Sequence, residues 1–350
     1  MAESYPMNGG DGAYSYSNNS HFQKTTADVL KTMIDEAIAH NLDNLDVSSP
    51  STIGLADLGC SVGPNTFFAM QNAIETIQTL NIIPENTEFQ VFFNDHSSND
   101  FNKLFATLPP KRTYFAAGVP GSFHRRLFPK SSIHFVYSSF ALQWLSRVPQ
   151  ELLEKGSAAW NKGRVHCTGA HEEVRGAYEA QYAKDMEVFF KARAEEVVGG
   201  GVMVLIMPAK ADKVPYSSVP ICVMYELLGQ SLMDMANEGT ISEDQVDSFN
   251  LPLYPTSPSE ISKFIEENGC FCIEKMELMS TQHRFEGPIN GADVVRHLRA
   301  GLEGLISKHF GGEIIDKLFS RLEEKSEDLS HLQGSSFTGG SLMFLVLKRK

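Results

Sequence analysis

Two carboxylates stand where a sheet protein would place them to meet a nucleoside. The stretch Ile53-Gly54-Leu55-Ala56-Asp57-Leu58-Gly59-Cys60-Ser61-Val62-Gly63-Pro64-Asn65-Thr66 starts as an apolar run and breaks at Gly59 and Gly63. It then passes into a helical pattern over Asn65 to Leu80. Strand, glycine-rich turn and helix in that order form the first unit of a nucleotide-binding α/β sheet. A glycine lets the backbone pass close to a ligand, and the helix start offers free N–H groups. Asp57 falls near the carboxyl end of the strand, where open α/β sheets bind their ligands. A second apolar run, Glu88 to Phe93, ends in Asn94-Asp95. An acid at the end of the second strand is placed to hold a ribose diol. The turn reads Gly-x-x-x-Gly, without the third glycine of Gly-x-Gly-x-x-Gly. It also lacks a Gly-Lys-Ser/Thr ending, which excludes a Walker-type phosphate cradle. On these residues alone, a dinucleotide and S-adenosylmethionine both fit.

The elements that must hold these groups follow from periodicity. Val29, Leu30, Met33, Ile34, Ala37 and Ile38 form a helical stripe between Lys24 and His40. Upstream, Gly9-Gly10-Asp11-Gly12 reads as a loose tail, whereas Tyr14 and Tyr16 followed by Asn19 and Ser20 have the composition of a lid. After Asp95, a helix is expected over Asn99 to Thr107, and strands over Thr113 to Ala117 and Ile133 to Tyr137. A long helix spans about Glu172 to Val198, closed by Gly199-Gly200-Gly201, and a fifth strand runs from Val202 to Met207. Residues 215 to 268 are helical by pattern, with a break at Asn250-Leu251-Pro252. Phe271 to Met279 and Leu342 to Leu347 are late strands, with helical patterns around 290 to 330 between them. Five strand–helix units and a late pair give a methyltransferase-like strand count, where a dinucleotide sheet more often has six.

Length and composition bound the rest. The 350 residues suffice for a large core; hydrophobic residues make up 42% and charged residues 21%, an ordinary globular balance. A formal net charge of −13 argues against broad binding to nucleic acid or an anionic membrane. Cys60, Cys167, Cys222, Cys270 and Cys272 are odd in number and show no C-x-x-C spacing, so neither a disulfide frame nor a zinc site is expected. No basic and apolar leader and no span-length apolar run is visible, so the expectation is a cytoplasmic, reducing location without a membrane anchor.

The chain is similar to the plant SABATH methyltransferases. The resemblance rests on Met7-Asn8-Gly9-Gly10, Tyr16-Ser17-Asn18-Asn19-Ser20, Ala56-Asp57-Leu58-Gly59-Cys60-Ser61, Gly63-Pro64-Asn65 and Phe93-Asn94-Asp95. It continues through Asn99-Asp100-Phe101-Asn102, Pro120-Gly121-Ser122-Phe123, Leu142-Gln143-Trp144-Leu145-Ser146, Asn161-Lys162-Gly163 and Asp247-Ser248-Phe249-Asn250. These motifs run in family order over nearly the whole chain. Phe92-Phe93-Asn94-Asp95 and Ala116-Ala117-Gly118-Val119-Pro120-Gly121-Ser122-Phe123 resemble the iridoid-acid and farnesoic-acid branch most.

The resemblance implies a seven-stranded class I methyltransferase sheet, Rossmann-like and α/β, with a helical cap. It implies one unit over 1–350, with a core from 50–210 plus 269–350 and a cap from 1–45 and 211–268. The methyl donor is S-adenosylmethionine, leaving S-adenosylhomocysteine. Tyr16, Ser20, Asp57, Gly59, Cys60 and Asn65 match positions around its methionine part and the loop. Asp95 matches the acid on the ribose, and His96 lies beside it near the adenine. Ser122 and Phe123 match the pair on adenine and ribose, and Ser139 and Phe140 the residues beside the sulfonium. Gln23 and Trp144 match a carboxylate clamp, acting through amide and indole N–H groups. Asn8, Gln143, Met207 and Tyr225 complete the implied substrate set, and Phe140, Val219, Cys222, Val223 and Phe319 are further apolar wall candidates. Salicylate-type members carry a lysine where Asn8 stands, so a charge-assisted bond, roughly twice as strong as a neutral one, is lost here. Asn161, Asp247, the backbone oxygen of Phe249 and Asn250 match a magnesium site away from the methyl group, with oxygen donors that suit a hard cation. The family also implies a homodimer.

The implied reaction is methyl transfer to the carboxylate of a small plant acid, a specialised metabolite or hormone. The alternative within the family is methylation of a xanthine or alkaloid-like nitrogen. A carboxylate is already ionised near neutral pH, so no general base is needed and none is expected.

Overall fold

The computed structural model describes residues 5–42, 52–80, 83–84, 86–279, 291–327 and 342–350. Its strands are β1 (Thr52–Leu58), β2 (Glu88–Asp95), β3 (Phe115–Pro120), β4 (Ile133–Ser139), β5 (Val197–Pro208), β6 (Phe271–Met279) and β7 (Leu342–Arg349). They form a seven-stranded sheet in the order β3-β2-β1-β4-β5-β7-β6. β1 to β5 run parallel, and β7 lies antiparallel between β5 and β6. The central parallel strands are apolar almost without interruption because helices cover both of their faces. The strand order reverses between β1 and β4, which opens a crevice at their carboxyl ends.

The helices are α1 (Tyr16–Asn19), α2 (His21–Asn41), α3 (Pro64–Thr79), α4 (Phe101–Ala106), α5 (Glu172–Glu196), α6 (Pro220–Asn237), α7 (Glu243–Asp247), α8 (Pro258–Asn268), α9 (Gly291–Phe310) and α10 (Ile315–Glu327). On one side of the sheet, Phe67, Met70 and Ile74 of α3 pack on β1 and β2, and Leu30, Ile34 and Ile38 of α2 pack beside them on α3 and β5. On the other, Val174, Tyr178, Tyr182, Met186, Phe189 and Phe190 of α5 join the inner residues of β5 and β7. A third cluster joins Tyr225, Leu228 and Leu232 of α6 with Leu298, Leu302 and Ile306 of α9 and Leu318 and Leu322 of α10. The helical layer therefore extends past the expected 211–268 span and draws in 291–327. Among the described residues, no helix is long and apolar enough to cross a membrane.

The boundaries that differ most from the sequence expectation are those of α5 with β5 and of β3. α5 ends at Glu196, and β5 starts at Val197, so Gly199-Gly200-Gly201 lies inside the strand. Ile133 pairs with Val197 and Phe135 with Val202, which makes the glycines a bulged entry to β5; β-branched Val197 suits that pairing. β3 runs over Phe115–Pro120 rather than Thr113–Ala117 because its pairing with β2 continues to Asp95 opposite Pro120. One expectation falls partly outside the described residues, namely the ends of the 290–330 helical stretch.

Candidate active site

The crevice is built around Asp57 and Asp95. Asp57 is the next-to-last residue of β1, level with Phe93 of β2 and Tyr137 of β4. Its Oδ2 accepts a hydrogen bond from Thr66 Oγ1 in the first turn of α3. Asp95 closes β2; its Oδ2 accepts from the Ser61 N–H at 2.8 Å and its Oδ1 from the His96 N–H at 2.7 Å. Between them the turn is pinned to the sheet, since the N–H groups of Gly59 and Cys60 both donate to Asn94 O, at 2.9 and 3.0 Å. Gly59 holds φ +85°, and a Cβ there would lie 2.4 Å from the Ala141 Cβ. That is the physical reason for a glycine at this point. Ser61 (φ 53°) and Phe140 (φ 54°) also take left-handed backbone at the carboxyl edge of the sheet, a form of strain that gathers at functional sites.

The electrostatics of this pair are set by burial. Asp57 is pushed up to about 7, first by burial, against the Thr66 hydrogen bond and with help from the charge on Asp95. Asp95 is also raised by burial, opposed by the N–H donors of Ser61 and His96 and by the neighbouring imidazole. The phenol of Tyr16 is raised by burial and then by the charges of Asp95 and Asp57. The Cys60 thiol is raised by burial, Asp95 and Asp57, so it is a neutral wall residue and not a nucleophile. His96 is lowered by burial, with Asp95 opposing.

The segment before α2 is strapped across this edge, which favours the lid over the loose tail. Asn8 N–H donates to Ala300 O at 3.0 Å, Tyr16 N–H to Asn8 O at 2.8 Å, and Arg299 sits 3.5 Å over the Tyr14 ring. Asn65 Nδ2 donates to Ser20 O at 3.2 Å and is 3.1 Å from Ser20 Oγ, which ties the lid to α3. Asn8 Nδ2 donates to Tyr14 O at 3.4 Å, so its amide faces the lid backbone.

Ser122 and Phe123 follow β3, and Gly121 N–H donates to Asp95 O at 2.9 Å. Their loop is braced from beneath by a buried ion pair. Arg193 donates to Phe123 O at 2.7 Å, to Arg125 O at 2.9 Å and to Glu196 Oε2, while Glu196 Oε1 accepts from the N–H groups of Leu127 and Phe128. Ser139 ends β4. The Phe140 ring meets Phe22 edge-on at 5.4 Å.

At the far end, Trp144 stacks on Tyr5 with centroids 5.7 Å apart, and its backbone bridges to Leu253. Gln23 Nε2 lies 3.4 Å from His297 Nε2 of α9. Gln143 Nε2 donates to Phe140 O at 2.8 Å. Gln23 Oε1 and Gln143 Oε1 are both buried without a protein partner. The two apolar candidates, Met207 and Tyr225, are buried in separate clusters. Met207 lies in the main core with Tyr182 OH donating to its sulfur at 3.9 Å, and Tyr225 lies in the helical layer against His166 at 4.9 Å.

The residues implied for magnesium do come together. Asn161 Nδ2 donates to Asn250 Oδ1 at 2.6 Å, and Asp247 Oδ1 accepts from the Gly163 N–H at 2.7 Å. Asn161 Oδ1 is buried without a partner, and Asp247 supplies the one carboxylate of the set. Among the described residues, no group of three or more His, Cys, Asp or Glu is arranged to hold a metal ion. That donor set fits only a weakly held hard cation.

Several residues escaped the sequence reading: Thr66, Tyr137, the Arg193–Glu196 pair, Tyr5, Phe22 and His297. Thr66 adjoins the Gly63-Pro64-Asn65 motif and was within reach. The others act across long sequence separations, which periodicity does not report.

A family model described as SAM dependent carboxyl methyltransferase matches residues 2–350. Loganic acid O-methyltransferase from Catharanthus roseus is 44% identical, with 99% of this chain and 95% of that protein covered. Farnesoic acid carboxyl-O-methyltransferase from Arabidopsis thaliana is 39% identical, with 100% of both covered. Among solved structures, a loganic acid methyltransferase with SAH superimposes with a TM-score of 0.93 at 44% identity, covering 99% of each chain.

Proposed function

The chain belongs to the SAM-dependent carboxyl methyltransferases, the SABATH family, and from that membership we propose that it esterifies a small plant acid of the loganic-acid type. It is an S-adenosylmethionine-dependent methyltransferase acting on a carboxyl oxygen. The observation that supports the choice of acid is the full-length likeness to the loganic acid enzyme, in sequence and in fold.

S-adenosylmethionine supplies the methyl group on a sulfonium carbon. In our reading, Tyr16, Ser20, Asp57, Gly59, Cys60 and Asn65 hold its methionine part. Asp95 holds the ribose hydroxyls, His96, Ser122 and Phe123 the adenine, and Ser139 and Phe140 the region of the sulfonium. Gln23 and Trp144 then fix the acid, each with an N–H toward the carboxylate, and Asn8 and Gln143 add polar contacts. The carboxylate needs no deprotonation. The protein's contribution is alignment in a closed site, which in favourable cases lowers a barrier by roughly 7–11 kcal/mol. The lid of residues 5–20, tied to α3 and α9, supports the exclusion of water.

We also infer a homodimer in the cytoplasm, recognising neither nucleic acid nor membrane. The core and cap divide one methyltransferase unit as the sequence reading has it, with α9 and α10 added to the cap. Asn161, Asp247, the Phe249 carbonyl and Asn250 would hold magnesium as a structural ion that takes no part in methyl transfer.

The test is a transfer screen with labelled S-adenosylmethionine against loganic acid, farnesoic acid, salicylic acid and xanthine. Base-labile product from loganic acid supports the reading. Product from farnesoic acid alone moves the acceptor to a terpenoid acid, and base-stable product from xanthine overturns carboxyl transfer.

A further inference from the structure

His297 sits on α9, in the helical layer, and none of the sequence motifs includes it. Its two ring nitrogens face different kinds of partner. Nδ1 lies 3.4 Å from the Asn19 carbonyl oxygen, and Nε2 lies 3.4 Å from Gln23 Nε2. A carbonyl oxygen can only accept, so the imidazole proton belongs on Nδ1. Nε2 is then bare and accepts, which requires the nitrogen of the Gln23 amide, not its oxygen, to face it. The orphaned Gln23 Oε1 is consistent with this orientation. Burial lowers the basicity of the ring and keeps it neutral. Phe22, the neighbour of Gln23, packs against the same ring at 5.9 Å. Both hydrogen bonds are long, as such bonds often are before a ligand closes the site.

We propose that His297 is a positioning residue for the acid: it fixes the orientation of the Gln23 amide, leaving the second N–H and Oε1 for the methyl acceptor. This rests on the reading of Gln23 as an acid ligand. Without the His297 acceptor, the amide can turn over and present its oxygen lone pairs to a carboxylate. The arrangement also leaves Gln23 Oε1 as an acceptor for a donor on the bound acid, such as a hydroxyl.

The experiment compares His297→Phe, His297→Gln, Gln23→Ala and the Gln23→Ala/His297→Phe double variant. It measures kcat and KM for the panel acid with the highest turnover, and S-adenosylhomocysteine affinity by calorimetry. Phenylalanine keeps a ring of similar size without an acceptor, and glutamine restores an oxygen near the Nε2 position. The expected result is an acid KM raised about three- to tenfold in His297→Phe, the size of one neutral hydrogen bond, with S-adenosylhomocysteine affinity unchanged. His297→Gln should recover most of that loss, and His297→Phe should add nothing in the Gln23→Ala background. A full additional loss in the double variant, or no recovery with glutamine, overturns the proposal. If Gln23→Ala raises KM while His297→Phe does not, only the role of His297 fails. If Gln23→Ala leaves KM unchanged, the acid-ligand reading of Gln23 fails, and the role of His297 with it.

Discussion

Replacing Arg193 by methionine tests how the cofactor loop is held. Arg193 is fully buried, and its guanidinium donates to Phe123 O, Arg125 O and Glu196. The variant removes three donors and leaves Glu196, itself fully buried, with only the N–H groups of Leu127 and Phe128. Removing one partner of a buried ion pair costs about 3–5 kcal/mol because the other charge remains desolvated. The two backbone donors keep Glu196 partly satisfied, which points to the lower end, about 3 kcal/mol. At about 2 °C per kcal/mol for a chain of this size, the midpoint of thermal unfolding falls by roughly 6 °C. The loop over Ser122–Phe128 carries Ser122 and Phe123, which are proposed to hold the adenine, so S-adenosylhomocysteine affinity is expected to fall with stability. Changing Glu196 to glutamine in the Arg193→Met background removes the stranded charge and keeps an acceptor, and should restore part of the loss. Differential scanning calorimetry with and without S-adenosylhomocysteine reads both effects. The reasoning fails if the single variant melts within about 2 °C of wild type, or if the double variant is no more stable than the single one.

Three further outcomes are expected. Asp57 has a raised folded-state pKa, about 7, so the protonated carboxyl stabilises the ligand-free protein. That contribution is full below the unfolded-state value and is lost as pH rises through 7; it amounts to a few kcal/mol in order of magnitude. Urea titrations should accordingly show Asp57→Asn gaining stability relative to wild type between pH 5 and 8, and a constant difference would contradict the burial argument. Gly59→Ala forces a left-handed alanine against Ala141, at a cost of about 1–2 kcal/mol for the backbone and about 1–3 kcal/mol for overpacking, visible as reduced stability and weaker S-adenosylhomocysteine binding. EDTA should leave methyl transfer unchanged under saturating substrates, because an ion held by Asn161, Asp247 and Asn250 is proposed to be structural and to take no part in methyl transfer; loss of activity restored by magnesium would assign the ion a role in turnover.

Local chemistry made much of this protein legible. A continuous apolar run with glycines and an acid at its end can hardly be anything but a buried parallel strand meeting a ligand, and β1, β2, β4 and β6 begin within a residue of where the pattern puts them. Asp57 and Asp95 are legible for the same reason, since position along a strand determines which end a side chain reaches. Phe271 to Met279 matched β6 to the residue, while the glycines before Val202 misled, because the same residues that close a helix also open a bulge.

Tertiary structure decided what depends on distant partners. Nothing in the sequence around Gln23 indicates which way its amide turns; that is fixed by His297, far along the chain on α9. Nor does the i, i+3 spacing of Arg193 and Glu196 reveal that the pair braces the Phe123–Phe128 loop. Met207 and Tyr225 are apolar wall candidates in the sequence, and only the packing shows that one sits in the main core and the other in the helical layer. Periodicity reports which face of an element is apolar, whereas the partner that face or that polar atom meets is set only when the whole sheet and its helical layer close around it.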